Sequence, residues 1–292
     1  MGSEMCIRDR ISSYRDFVIT WWGSWLRIVS LSPSITDVLV SIGASDSIVG
    51  VTPFCRPWLN KDIRELNIVG DYLRVRIDIL KKLRPDYVLL QSHVHDKLYS
   101  ELRSKGFNAV LIPLPESIPA SLANIVFIGT LVCRGYEARS LTAKLMDQLY
   151  PVVKKSYQEP VTSRVKVYIE YLWPNWTFCT SGSLTFVNDE VWIAGGINIF
   201  HSVINKFFTP SDKDIIRGKP ELVLVNIEPR MKVDLSTYVK KREVIKEVLK
   251  QGSKVRLIRE SRNVNLAHWG PTALIPTIEF IRSLINTTKT LS

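Results

Sequence analysis

The stretch SIPASLANIVFIGTLVCRGYEARSLTAKLMDQLYPVVKKSYQ, from Ser117 to Gln158, is the longest run of helical periodicity in the chain. Its hydrophobic stripe passes through Leu122, Ile125, Val126 and Gly129, then Ala138, Leu141, Leu145 and Leu149, spacings that place them on one helix face. Ser117 is suited to cap the first turn and Pro119 to sit inside it. Gly135 either divides the run or bends it, and Pro151 kinks or ends its second part. Glu137, Arg139, Lys144, Asp147, Lys154 and Lys155 mark a solvated face. Flanked by two halves of similar pattern, such a run is a strut, and the cleft between the halves is the natural binding place.

On the N-terminal side, Arg27 to Ser32 reads as a buried strand and Ile35 to Ile42 as a helix capped by Ser34 and ended by Gly43. Ser47 to Val51 is a second strand, leading into a loop from Thr52 to Asn60. Ile77 to Leu83 is a helix, Pro85 to Leu90 a strand, Lys97 to Lys105 a helix and Ala109 to Pro113 a strand. On the C-terminal side the alternation restarts. Strands are expected at Arg164 to Tyr171, Pro220 to Val225 and Val255 to Ile258. Helices are expected at Val187 to Ala194, Leu235 to Lys250 and Thr272 to Ile285, with a short helix or loop at Asp212 to Arg217. Alternation with short connections implies mostly parallel sheets covered by helices. Arg84-Pro-Asp-Tyr-Val-Leu-Leu and Lys219-Pro-Glu-Leu-Val-Leu-Val share one design: a basic residue, Pro, an acid, then an apolar strand. The fold class is therefore α/β: two Rossmann-like lobes joined by a long helical connector, with the ligand cleft between them. The divisions are 27–116 for the first lobe, 117–159 for the connector and 160–292 for the second.

The chain has 292 residues, 46% of them hydrophobic and 23% charged, a globular composition long enough for about two domains. No run reaches the ~20 apolar residues of a membrane span. Residues 1–26 are set apart. Met1 to Arg10 resemble a translated sequencing adapter, and Ile11 to Trp25 read as genuine chain or as translated leader. Compartment therefore stays open; an extracytoplasmic, membrane-associated protein is the expectation, and a signal-less cytoplasmic form the alternative. The net charge of +11 comes from Lys and Arg spread along the chain, without a basic run or an aromatic RNA motif, so nucleic acid is not the expected partner. With Cys6 set aside, Cys55, Cys133 and Cys179 are irregularly spaced, which suits neither a disulfide framework nor a zinc site. No nucleophile elbow, Walker loop or dinucleotide fingerprint is present.

Four stretches resemble the helical-backbone solute-binding proteins of ABC importers for corrinoids, iron-siderophores and haem. They are Arg27-Ile-Val-Ser-Leu-Ser-Pro-Ser-Ile-Thr-Asp, Ile48-Val-Gly-Val-Thr, Leu80-Lys-Lys-Leu-Arg-Pro-Asp-Tyr-Val-Leu and Ala194-Gly-Gly-Ile-Asn-Ile-Phe. The resemblance spans Arg27 to Ile285 and is strongest to the corrinoid-binding branch. Tyr72 stands where that branch carries an aromatic residue. Cys55-Arg56-Pro57-Trp58 stands where its signal-less relatives carry Cys-acid-aromatic-Pro, so Arg56 replaces an acid. The resemblance implies a monomeric, non-enzymatic protein without a cofactor that delivers a metal chelate to a permease dimer. A corrinoid is the first ligand expected, a ferric siderophore or haem the alternative. It also implies permease-docking acids, for which Asp78 on one lobe and Asp189 or Glu190 on the other are the matching positions.

Parallel sheets bind ligands beyond the carboxyl ends of their strands. That rule selects Ser32, Ser34, Phe54, Cys55, Arg56, Trp58, Tyr72 and the segment Gln91 to His95 in the first lobe. In the second it selects Trp173, Trp176, Phe178, the segment Glu228 to Arg230, His268 and Trp269. The aromatics offer flat apolar area suited to a macrocycle. Arg56, Arg74, Arg76 and Arg230 are candidates to hold acidic groups of a ligand. His93 and His95, two apart, would share a strand face and reach a metal. No third ligand is suitably spaced, so no metal site of the protein's own is assigned. A metal-chelatase-like enzyme, using His93, His95 and His268, is the reading from another class.

Overall fold

The computed structural model describes residues 26–59 and 67–290. The adapter-like start, the leader from Ile11 to Trp25 and the end of the Thr52 to Asn60 loop lie outside the described residues.

The first sheet contains β1 (Ile28–Ser30), β2 (Ile48–Val51), β3 (Asn67–Ile68), β4 (Tyr87–Gln91) and β5 (Ala109–Ile112), in the order β3-β2-β1-β4-β5. All its pairings are parallel. The second contains β6 (Val165–Trp173), β7 (Thr177–Ser181), β8 (Gly196–Asn198), β9 (Phe207–Phe208), β10 (Leu222–Ile227) and β11 (Lys254–Arg259). Its order is β11-β10-β6-β7-β9, with β8 alongside the start of β6. β7 runs antiparallel to both its neighbours, β6 and β9.

The helices are α1 (Pro33–Ser41), α2 (Ile77–Leu83), α3 (Asp96–Ser104), α4 (Ile118–Leu131), α5 (Gly135–Gln158), α6 (Phe186–Ile193), α7 (Asp212–Gly218), α8 (Leu235–Lys241), α9 (Glu243–Lys250) and α10 (Pro271–Lys289). They sort into three layers. α2 and α3 cover the outer face of the first sheet through Leu80, Leu83, Leu98 and Leu102. α7, α8 and α9 cover the outer face of the second through Ile215, Tyr238, Val244, Ile245 and Val248. One larger core joins the inner faces of both sheets to α1, α4, α5, α6 and α10.

The repeated basic-Pro-acid motif is a structural device used twice. α2 ends on Arg84 at φ 44° and α7 ends before Lys219 at φ 46°, both left-handed. Pro then leads into β4 or β10. The acid receives the amide of the neighbouring chain: Arg27 N donates to Asp86 Oδ2 at 2.7 Å, and Lys166 N to Glu221 Oε2 at 2.8 Å. The motif therefore fixes where each lobe's central strand meets its partner.

The expected connector is two helices. Its break lies at Val132–Arg134, where Cys133 takes φ 57°, just ahead of Gly135. α4 and α5 approach so closely at Gly129 that a Cβ there would collide with Ala138. Pro151 does not end the second helix, which continues to Gln158. Ser117 Oγ caps α4 through the Ala120 amide at 3.2 Å. α1 begins at Pro33, with Ser32 rather than Ser34 at its N-cap.

Candidate functional site

Residues from the strand ends of the two lobes meet, but only some of the expected residues take part. In the second lobe the Glu228 amide donates to the Leu172 carbonyl at 3.1 Å, so Trp173 leaves β6 beside the Glu228–Arg230 segment. Trp173 is 37% exposed and stacks on Tyr171 at 6.5 Å. From the same segment Arg230 reaches across the cleft, its guanidinium 5.0 Å from the centre of the Phe54 ring. Phe54 packs edge-on against Tyr72 at 5.6 Å, and Tyr72 against His95 at 5.1 Å. Phe54, Tyr72 and Arg230 thus meet from two lobes, and Trp173 lies beside the segment that carries Arg230. Burial pushes the Tyr72 phenol well above its usual range, and the neighbouring acidic groups Cys55 and Glu260 act in the same direction. Arg56 is exposed on the 3-10 turn Pro53–Trp58.

His93 and His95 do not share a face. β4 ends at Gln91, and His93 is exposed in the following turn at φ 74°. His95 is buried; its Nδ1 accepts from the Gln91 amide at 3.0 Å, so Nε2 carries the proton and donates to the Tyr72 carbonyl at 2.7 Å. Burial also lowers its pKa. A neutral ring with both nitrogens engaged has no lone pair left for a metal.

His268 and Trp269 are interior residues. Trp269 Nε1 donates to Gln91 Oε1 at 2.7 Å. Ser34 Oγ accepts the Trp269 amide at 3.2 Å and lies 3.2 Å from His268 Nδ1, while His268 Nε2 lies 2.9 Å from Asp37 Oδ2. Thr272 gives both its amide, at 3.0 Å, and its hydroxyl to Asp37. Trp58 covers the His268 ring at 4.3 Å and 9°. Ser34, Asp37, Trp58, His268 and Trp269 are each no more than 5% exposed. This Ser-His-Asp chain is enclosed, with its hydroxyl and imidazole committed, so it joins the lobes rather than attacking a substrate. Gly270 is required there, because a Cβ would fall on the Asp37 carboxylate and His268.

Four more expected ligand residues lie elsewhere. Cys55 is buried, with its Sγ 3.3 Å from Thr52 Oγ1, and burial raises its pKa. Its thiol is protonated inside the first lobe rather than offered as a metal-binding thiolate. Ser32 is likewise buried. Phe178 pairs with Leu172, on the face opposite Tyr171 and Trp173. There Arg242 lies 3.7 Å over Phe178, and Lys241 lies 4.4 Å over Trp176, which the β6–β7 turn holds at φ 59°. Arg242 also bonds Glu170 at 2.8 Å, and Tyr168 and Tyr238 donate to the same carboxylate at 2.8 Å each. Phe178 therefore packs on the buried Glu170–Arg242 network, and half-buried Trp176 packs beside it against the outer core of the second sheet.

The three docking acids separate. Asp78 is exposed in the first turn of α2. Asp189 is half-buried and accepts the Ile118 amide at 2.9 Å, capping α4 from the second lobe. Glu190 is fully buried, and burial holds its carboxyl well above the usual range. It cannot present a charge to a partner, which corrects its assignment to the surface.

The strand-end rule also reaches residues not singled out. Glu260 follows β11 and accepts from Asn226 Nδ2 at 2.7 Å and Asn265 Nδ2 at 3.1 Å. Asp37 stood inside the quoted Ser-Pro-Ser-Ile-Thr-Asp motif, the one charged residue of α1. Among the described residues, no group of three or more His, Cys, Asp or Glu is placed to hold a metal ion. Also among them, no helix is long and apolar enough to cross a membrane.

The chain is 25% identical over 203 residues to a cobalamin-binding protein of Halobacterium salinarum, covering 69% of this chain and 54% of that one. It is 25% identical over 183 residues to the uncharacterised ABC transporter substrate-binding lipoprotein YvrC of Bacillus subtilis, covering 60% and 54%. The chain thus spans about half the length of these curated relatives. The crystal structure of Staphylococcus aureus IsdE complexed with heme superposes with a TM-score of 0.72 at 18% identity, covering 90% of this chain and 98% of IsdE, which establishes a shared fold. Residues 28–252 match the family described as periplasmic binding protein, and the chain belongs to that family.

Proposed function

We propose that this protein captures a metal chelate of the corrinoid type in the cleft between its lobes and delivers it to the permease of an ABC importer. The observation that carries the reading is the meeting of Phe54 and Tyr72 from one lobe with Arg230 from the other, on the segment that lies beside Trp173. Aromatic faces from two sides enclose a flat macrocycle, and each brings large apolar area at little entropic cost. The cobalamin-binding relative supports a corrinoid. Haem is the second reading, supported by the fold shared with IsdE. The chelate is cargo, and no cofactor of the protein's own is invoked. Titration with cobalamin, haemin and a ferric siderophore, followed by tryptophan fluorescence, tests the assignment. Cobalamin should quench most strongly; saturation by the siderophore alone would move the ligand class.

Asp78 is the proposed docking acid of the first lobe. Such a charge steers and orients an encounter, and salt weakens it. Asp78→Ala should leave chelate affinity unchanged and slow uptake in a reconstituted importer. Normal uptake by that variant would remove Asp78 from the docking surface.

A further inference from the structure

The parallel register of β6, β10 and β11 continues past their last paired residues. Ile227 stands between Leu172 and Arg259, and Glu228 keeps the next bond, to the Leu172 carbonyl. One residue further, Trp173, Glu228 and Glu260 form a row across three strand ends. Alternation puts this row, with Asn226 behind Glu228, on the face of the sheet that carries Tyr171 and looks toward the first lobe. The two acids in the row supply only acceptor oxygens when ionised. Glu228 is buried, and its carboxylate takes the Arg230 amide at 2.9 Å and Nε at 2.7 Å. Glu260 is held by the amides of Asn226 and Asn265. Asn226 is 2% exposed, and its Oδ1 has no hydrogen-bond partner. A buried acceptor without a donor costs about 1–3 kcal/mol. Two neighbouring carboxylates resist being charged together. The nearest cation, Arg230, is already engaged with Glu228 and the Phe54 ring. A ligand edge bearing N–H groups would relieve all of this, whereas a carboxylate edge would add a further negative charge.

We propose that Glu228, Glu260 and the orphaned Asn226 carbonyl form an acceptor edge beside Trp173 that selects chelates with a periphery of carboxamides or amines and rejects those with a periphery of carboxylates. This rests on the chelate-binding reading above and adds a polarity to it. Selection arises as much from the penalty against the wrong edge as from bonds to the right one.

The test compares two ligands with the same corrin ring: dicyanocobinamide, with a carboxamide edge, and dicyanocobyrinic acid, with a carboxylate edge. Haemin is the third probe, and tryptophan quenching gives each affinity. The cobinamide should bind at least about tenfold tighter than the acid, a difference of ~1.4 kcal/mol. Glu228→Gln combined with Glu260→Gln should bring the ratio within about threefold in protein that still unfolds cooperatively. Glu260→Gln alone leaves Glu228 on Arg230 and should lower the ratio in the same direction; it serves if the double variant does not fold. Equal wild-type affinities, tighter binding of the acid or of haemin, or an unchanged ratio in Glu260→Gln overturns the acceptor edge while leaving a chelate-binding cleft in place. Binding of none of the three overturns the edge together with the reading it rests on.

Discussion

Trp58 and Trp173 are the same residue type, both drawn from strand-end loops, yet they answer to different physics. Trp173 is partly open to the cleft, so its indole is available to a flat ligand. Trp173→Ala should weaken chelate binding about tenfold, ~1.4 kcal/mol, with little change in unfolding temperature. Trp58→Ala removes a buried ring that covers His268 and should cost about 3–5 kcal/mol of stability in a urea melt. A reversed pattern would exchange their roles. Glu260 adds a pH dependence. Burial pushes its carboxyl from 4.5 to about 7; the charge of Glu228 acts in the same direction, and the bonds from Asn226 and Asn265 oppose it. The folded state then holds this proton more tightly than the unfolded chain. Its contribution to stability is intact below about pH 4.5 and is lost as pH rises through about 7. Glu190 is raised by burial as well and slopes the same way. Glu260→Gln should therefore flatten part of the decline in unfolding temperature between pH 5 and 8, as read by scanning calorimetry. An unchanged slope would mean that Glu260 is ionised throughout.

At the scale of elements, the connector shows packing overruling propensity. Alanine is favoured over glycine inside a helix by about 1 kcal/mol, so Gly129 in the interior of α4 looks replaceable. A Cβ there would collide with Ala138 of α5 and press on the Arg134 carbonyl. Overpacking of that kind costs about 1–3 kcal/mol. Gly129→Ala should therefore destabilise the protein on balance, and a gain in the urea midpoint would show that the helix pair can part without cost. The basic-Pro-acid motif works in the opposite sense, since its parts agree locally: a left-handed end residue, a Pro that cannot continue the helix, and an acid that receives the amide of the next strand. Both copies were readable because every interaction that defines them involves one short segment and one neighbouring strand.

Across the whole molecule, the lobes are joined by more than the connector. One apolar core crosses between them, and Asp37, Ser34 and Gln91 of the first lobe bind His268, Trp269 and Thr272 of the second. Two lobes welded at their base should close only slightly on a ligand. Small-angle scattering of the wild type should change little on ligand addition. Asp37→Ala leaves the His268 imidazole and the Thr272 amide without their acceptor, at about 1–3 kcal/mol for each buried group. That variant should melt earlier and show a larger ligand-linked change in scattering. A large drop in the wild-type radius of gyration would contradict the weld.

The periodicity of apolar residues, the paired Pro-acid motifs and the helical stretch between them determined an α/β chain with two sheets and a helical connector. Each of these signals is local: alternation along a strand, recurrence around a helix, or a turn within a few residues. The strands β7, β8 and β9 escaped because they are short and gain their hydrogen bonds only from other strands: β7 and β8 pair with β6, and β9 pairs with β7. Only the tertiary structure separated the aromatics that face the cleft from those that hold the lobes together. Trp58, His268 and Trp269 carry the same loop signature as Phe54, Tyr72 and Trp173, and what divides them is the partner each meets from the other half of the chain. It likewise buried Glu190 while leaving Asp78 exposed, although both are acids on helices. Burial is a property of what packs on a residue from far along the chain, and neither residue type nor spacing encodes that.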